Sequence, residues 1–304
     1  MILKNQGKLD QALECLHKDL AIRETVFGAD DSATGRSYLD IGVLLREQGK
    51  LNQALEYFQR NLAIQERVLG TDHPTTATSR SNISLLLKEQ GKPDQALEHF
   101  HKALATREKV LDTDNVDTAQ LYNNIGSLLH DQGNLDLALE HYRKALAIRE
   151  KVFGTNHTCI ASSYNNIGVV LHKQGKPDQA LDYCRKALAI DEKVLGTNHI
   201  ATAASYSNIG VLLHDQGKFD QALNYYRKAL AIREEVLGAD HTDAAISYNN
   251  MGSLLKDQGK LDQALEHYRK ALAIREKVLG ADNAGTVETR HAVHELLRAL
   301  RKDQ

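Results

Sequence analysis

The sequence predicts an all-α fold, a solenoid of stacked antiparallel helix pairs, and three observations carry that prediction. The dipeptide Gln-Gly recurs at Gln6, Gln48, Gln90, Gln132, Gln174, Gln216 and Gln258, each 42 residues after the last. Between these markers apolar residues return at intervals of three and four, the mark of one helical face. No copy carries an insertion, so the chain reads as one unit written seven times.

Each unit divides at Gln-Gly into a short and a long helix. The first short one, MILKNQG, is truncated and leaves the first long helix without a full partner, which reads as a piece of a longer array. In the fourth copy the long helix places Leu135, Ala138, Leu139, Tyr142, Ala145, Leu146 and Val152 along one stripe. About 19 residues at 1.5 Å each span about 28 Å. Glu-first pairs, Glu56 with Arg60, Glu98 with Lys102, Glu140 with Lys144 and Glu266 with Lys270, support it from outside, each by about 0.2–0.5 kcal/mol. The long helix stops at Gly28, Gly70, Gly154, Gly196, Gly238 and Gly280, with Asp112 in that place once. A left-handed residue after the helix is easiest without a Cβ.

A polar stretch such as GTDHP then leads into the short helix, which in one copy carries Ala161, Tyr164, Ile167, Gly168 and Leu171 on one side. Gly175 and its equivalents turn the chain into the next long helix, twice with proline at its start, Pro93 and Pro177, where the missing N–H matters least. Glycine inside a helix costs about 0.5–1 kcal/mol relative to alanine. Gly42, Gly126, Gly168, Gly210 and Gly252 therefore need a reason, and close approach of the paired helices supplies one. Ala12, Ala54, Ala96, Ala138, Ala180, Ala222 and Ala264 are the expected facing small surface. Residues 1–285 form the seven repeats. Residues 286–304 form a C-terminal capping helix that keeps Val293 and Leu297 for packing and turns charges outward.

With 38 Lys+Arg against 40 Asp+Glu and a net charge of −2, nothing general draws this chain to nucleic acid or to an anionic membrane. The start lacks the apolar core of a secretory signal, and no apolar run approaches the roughly 20 residues of a membrane span. A cytoplasmic protein is expected. Cys15, Cys159 and Cys184 are odd in number and irregular in spacing, so they read as small apolar fillers and not as a disulfide or metal set. No Gly-rich phosphate loop, nucleophile elbow or HExxH occurs, and the carboxylates repeat with the period, whereas an active site is a singular constellation. The expectation is no enzyme and no cofactor. His130, His172 and His214 come from successive copies, and helices about 8–10 Å apart do not bring them to one metal. His291 and His294 read as solvated.

Tyr122, Ile125, Gly126 and Leu129, followed by Ala138 and Tyr142, resemble the tetratricopeptide (TPR) repeat, as do Ala54 with Phe58 and Ala96 with Phe100. One departure is systematic: Glu66, Glu108, Glu150, Glu192, Glu234 and Glu276 stand where ordinary units place proline, and the unit is longer. The segments NNIG, QGK, ALAIREKVLG and DHP resemble the subtype found in kinesin light chains and nephrocystin-like proteins. That resemblance implies a right-handed superhelix whose concave surface, lined by the short helices, holds an extended peptide of a partner protein.

On that analogy two ladders face inward. One is amide: Asn82, Asn124, Asn166, Asn208 and Asn250, with Asp40 in the first full copy and Asn123, Asn165 and Asn249 as neighbours. An amide offers donors and an acceptor to an extended backbone; alternatively each Asn ties its helix to a neighbouring repeat. The other ladder is basic: Lys4, Arg46, Lys88, His130, His172, His214 and Lys256. It reads as a track for an acidic segment, or as a solvated edge, since Glu47, Glu89, Asp131, Asp215 and Asp257 each follow a rung and only Lys173 breaks that pattern. A third inward position varies: Arg36, Thr78, Gln120, Ser162, Ala204 and Ile246. The leading expectation is a scaffold or adaptor for an extended peptide. The alternatives are a structural rod that self-associates through its uncapped first repeat, and the sensing arm of a larger signalling protein.

Overall fold

The computed structural model describes residues 9–110 and 115–302, and among these fourteen α-helices and no strand occur. Gln6, Lys4, Asp112 and the first short segment lie outside the described residues. Two compact units divide the chain, Met1–Val152 and Phe153–Gln304. The first contains α1 (Leu9–Phe27), α2 (Ser32–Glu47), α3 (Leu51–Leu69), α4 (Pro74–Glu89), α5 (Pro93–Val110), α6 (Val116–Asp131) and α7 (Leu135–Phe153), which reaches its edge. The second contains α8 (Thr158–Lys173), α9 (Pro177–Val194), α10 (Ile200–Asp215), α11 (Phe219–Leu237), α12 (Thr242–Asp257), α13 (Leu261–Leu279) and α14 (Ala284–Lys302). Within each unit every helix packs on its neighbour in sequence, the solenoid arrangement. The last helix begins two residues before the expected boundary and buries Val293 and Leu296, with Leu297 half-buried.

Glycine stops the long helices as expected, in a conformation more restrictive than the left-handed α region. Gly70 has φ 90° and ψ 165°, a region essentially closed to residues with a Cβ. The internal glycines have a different partner from the one expected. A Cβ on Gly42 would lie 2.5 Å from two ring carbons of Phe58, and one on Gly210 would lie 2.5 Å from Tyr226. The aromatic ring of the long helix occupies the glycine notch. The buried alanine contributes its backbone, as with the Ala54 carbonyl oxygen 3.4 Å from the same point. The stripe of α7 also differs: Val152 is exposed, while Ile148 and Arg149 are buried. Arg60 makes no ion pair with Glu56 among the described residues; its guanidinium lies 5.7 Å from the Tyr38 ring centre and 6.0 Å from that of Tyr57. The pairs at Lys102, Lys144 and Lys270 do form, at 2.5, 2.7 and 2.8 Å.

The Glu that replaces proline joins one repeat to the next. Tyr38 donates to Glu24 at 2.6 Å, Tyr206 to Glu192 at 2.5 Å, Tyr248 to Glu234 at 2.6 Å, and Tyr122 to Glu108. Where tyrosine is missing, Arg80 and Arg290 make the same link to Glu66 and Glu276. The Gln of Gln-Gly reaches back a repeat: Gln48 donates to Asp10, Gln90 to Asn52, Gln132 to Asp94 and Gln216 to Asp178. The DH and NH loops cap the short helices, with the Nδ1 atoms of His73, His157, His199 and His241 accepting from the backbone N–H two residues on.

Candidate peptide-binding face

Ridges of apolar residues bury one side of each short helix, which fixes the opposite side as a free face. Arg36, Thr78, Gln120, Ser162, Ala204 and Ile246 are all exposed there. The amide rungs lie beside them, half-buried. Asn124 accepts from Gln120 at 2.8 Å. Asn165 donates to Ser205 at 2.8 Å, and Asn249 accepts from Thr289 at 3.4 Å, so these two tie adjacent repeats together. Asn123 and Asn166 are also partnered. Asn82, Asn208 and Asn250 have no hydrogen-bond partner among the described residues. Scaffolding and free amides therefore coexist on the short helices.

The basic ladder has a stricter outcome. Apart from His130, its described rungs pair with the acid of the following helix pair and not with the acid beside them. Arg46 makes a forked pair with Glu89, Lys88 pairs with Asp131 at 2.8 Å, His172 with Asp215 at 2.6 Å, His214 with Asp257 at 2.8 Å, and Lys256 with Glu295 at 3.5 Å. The Glu89 carboxylate raises the Arg46 pKa, reinforcing its charge. Burial alone would raise the Asp131 carboxyl, but Lys88 and His130 hold it below the ordinary carboxylate range. His130 turns to its own neighbour Asp131 at 3.3 Å. Exposed pairs of this kind contribute about 0–1 kcal/mol each, so their larger effect is to fix register between repeats. Lys173, exposed, makes no ion pair among the described residues.

Cys15, Cys159 and Cys184 form no disulfide among the described residues; Cys184 is a buried filler, whereas Cys15 is exposed. No group of three or more His, Cys, Asp or Glu side chains that could hold a metal ion occurs among the described residues. None of their helices is long and apolar enough to cross a membrane.

Models of the tetratricopeptide repeat match residues 1–60, 40–109, 117–193, 159–235, 202–277 and 243–304, and a second such model matches 82–151. This chain belongs to the tetratricopeptide repeat family. That family is generally a non-catalytic scaffold for protein–protein interaction. The solved tetratricopeptide structures it resembles include a putative kinesin light chain of Podosopora anserina with nearly identical TPR-like repeats, at TM-score 0.60 and 19% identity over 66% of this chain and 95% of that one. BtubC (BKLC) of P. vanneervenii matches at TM-score 0.60 and 22% identity over 77% and 92%. The APC/C hetero-tetramer Cut9–Hcn1 matches at TM-score 0.64 and 18% identity over 97% of this chain and 47% of that one. At these identities the likeness is one of fold. No curated protein matches the tetratricopeptide sequence described here.

Sequence reasoning missed the Gln–Asp and Tyr–Glu ties and the histidine caps. The two ties had a readable signal in the fixed spacing of a donor and an acceptor, at 14 residues for Tyr206 and Glu192 and 38 for Gln48 and Asp10.

Proposed function

We propose that the face formed by the short helices holds an extended segment of a partner protein, and that the chain is an adaptor without catalytic activity. One observation carries this reading: Asn82, Asn208 and Asn250 keep mid-helix amides half-buried with no partner among the described residues, although Asn is a mediocre helix former. A free amide at such a place matches the alternating N–H and C=O groups of an extended chain. Because the basic rungs are paired internally, acid recognition on this face rests on Lys173 more than on Arg46, Lys88, His130, His172, His214 or Lys256. Cys15 and Cys184, free thiols, support a cytoplasmic setting.

Titration of a library of extended peptides against the native chain and against the triple variant Asn82→Ala, Asn208→Ala, Asn250→Ala tests the reading. Binding by the native chain with at least tenfold loss in the variant, at unchanged melting temperature, is the expected result. Equal binding by both removes it.

A second reading, self-association through α1, is favoured by Ile22, which is 63% exposed while its counterparts Ile64, Ile148, Ile190, Ile232 and Ile274 are buried. Light scattering across a concentration series decides it, since a strict monomer leaves it without support.

A further inference from the structure

One place on the short-helix face of the second unit is built unlike the others. The long helices carry a ring at Phe58, Phe100, Tyr142, Tyr226 and Tyr268, whereas α1 carries Leu16 and α9 the smaller Cys184 at the corresponding position. The glycine notch is kept: a Cβ on Gly168 would lie 2.7 Å from the Cys184 sulfur. A thiol has far fewer atoms than a ring, so space remains. The result is a cavity of about 120 Å³ walled by Val169 and His172 of α8, Cys184 of α9, and Asn208, Val211 and Leu212 of α10.

Its lining and rim specify a ligand. Cys184 is 1% exposed and burial pushes its thiol up to about 12, so it lines the floor as a neutral, apolar group and not as a nucleophile. Val169 is 36% exposed, an apolar side chain open to the face. Asn208 at the rim is one of the three amides without an internal partner, and His172 is engaged by Asp215 at 2.6 Å. Lys173, next in the chain after His172, is the cation of this face without an ion pair among the described residues. An apolar cavity of roughly 150 Å³ stays dry and takes up benzene, so 120 Å³ suits a group of about four carbons and is too small for an indole.

We propose that this cavity is a side-chain pocket that receives one branched aliphatic residue, of the leucine or valine kind, from an extended peptide of a partner protein, while a carboxylate of the same peptide lies on Lys173. The proposal rests on the peptide-binding reading of the face and adds the residue class that the partner presents. Each buried carbon is worth about 0.8 kcal/mol, or about fourfold in affinity. A leucine peptide therefore exceeds its alanine analogue by up to about 50-fold on full burial, and by at least tenfold with partial burial.

The test uses the full chain, isotope-labelled for amide spectra, and four capped peptides of glycine and aspartate that differ at one position: leucine, valine, alanine or tryptophan. The expected order is leucine over valine over alanine, with tryptophan no better than alanine and with shifts on the amides of α8 and α10. Cys184→Tyr, which restores the ring carried by α11 and α13, abolishes the leucine preference. Val169→Gln on the exposed rim lowers it at least threefold, and decides the matter if the tyrosine variant fails to fold. Equal binding of the leucine and alanine peptides at α8 and α10, or a preference that survives both substitutions, overturns the pocket and leaves the face intact. Absence of any shift on α8, α10 and α12 with all four peptides overturns the reading of the face and the pocket with it.

Discussion

Helices α9 and α11 occupy successive repeats of one unit and share most of their sequence, PDQALDYCRKALAIDEKV against FDQALNYYRKALAIREEVL, yet their buried positions differ twice. Tyr226 of α11 fills the notch at Gly210, where Cys184 of α9 leaves a cavity. Arg233 of α11 donates to Ser247 at 2.6 Å, whereas Asp191 of α9 accepts from Ser205 at 2.7 Å. A hydroxyl both donates and accepts, so the serine of the following short helix accommodates either sign of charge and the backbone need not change. Burial disfavours both charges, lowering the Arg233 pKa and raising that of Asp191. The scaffold is therefore indifferent to what α9 carries, and the variation there is free to serve a ligand.

The largest test of that contrast is truncation. Tyr226→Ala is expected to destabilise the second unit by about 3–5 kcal/mol, as for buried aromatics generally, and Cys184→Ala by less than about 1.5 kcal/mol, because its surroundings already hold a void. Urea unfolding followed by circular dichroism reads both, and equal losses would break the comparison. Next in size is Gly210→Ala, expected to cost about 1–3 kcal/mol by driving a methyl into the Tyr226 ring. Adding Tyr226→Cys should return part of that loss, with a coupling above about 0.5 kcal/mol in a double-mutant cycle. Simple additivity would show that the ring does not fill the notch.

That ring-in-notch joint marks where sequence reading reached and where it stopped. The 42-residue period, the helix types and the glycine stops follow from local chemistry and were legible. The partner of Gly42 was not, because helical spacing puts Ala54 and Phe58 on the same stripe and only the crossing of the two helices decides which one enters the notch. Arg149 carries a charge on the long helix, yet it is buried and donates to Gln120 at 3.1 Å. Histidine is not among the preferred N-cap residues, so the capping role of His73 and its counterparts had no precedent in the pattern. On the candidate face, the sequence placed each cation but not the acid it would choose. Arg46 and Glu89 lie 43 residues apart, a pairing that exists only once helices stack.

A smaller effect separates Asp191 from Arg233 by pH. The folded state raises the Asp191 pKa above its ordinary 3.8, chiefly through burial. Its contribution to stability is then fully present below the unfolded value and is lost as pH rises through the folded one. Asp191→Asn, which keeps an acceptor for Ser205, should match the native chain in melting temperature below pH 3.8 and exceed it at neutral pH. A native chain that gains on the variant as pH rises would reverse the assignment.

The smallest predicted difference concerns the caps that follow α9 and α11. His199 and His241 accept from Ala201 and Asp243 at 3.1 and 3.2 Å, and Asn115 performs the same task at α6 at 2.8 Å. Substitution of either histidine by asparagine should therefore preserve its cap. The two sites nonetheless differ in the buried group that precedes them, the carboxyl of Asp191 ahead of His199 and the guanidinium of Arg233 ahead of His241. Because a cap that accepts through Nδ1 needs that nitrogen unprotonated, His199→Asn and His241→Asn should each shift stability by less than about 0.5 kcal/mol at neutral pH in urea unfolding. A loss above about 1 kcal/mol in either variant would show that asparagine does not replace the imidazole cap.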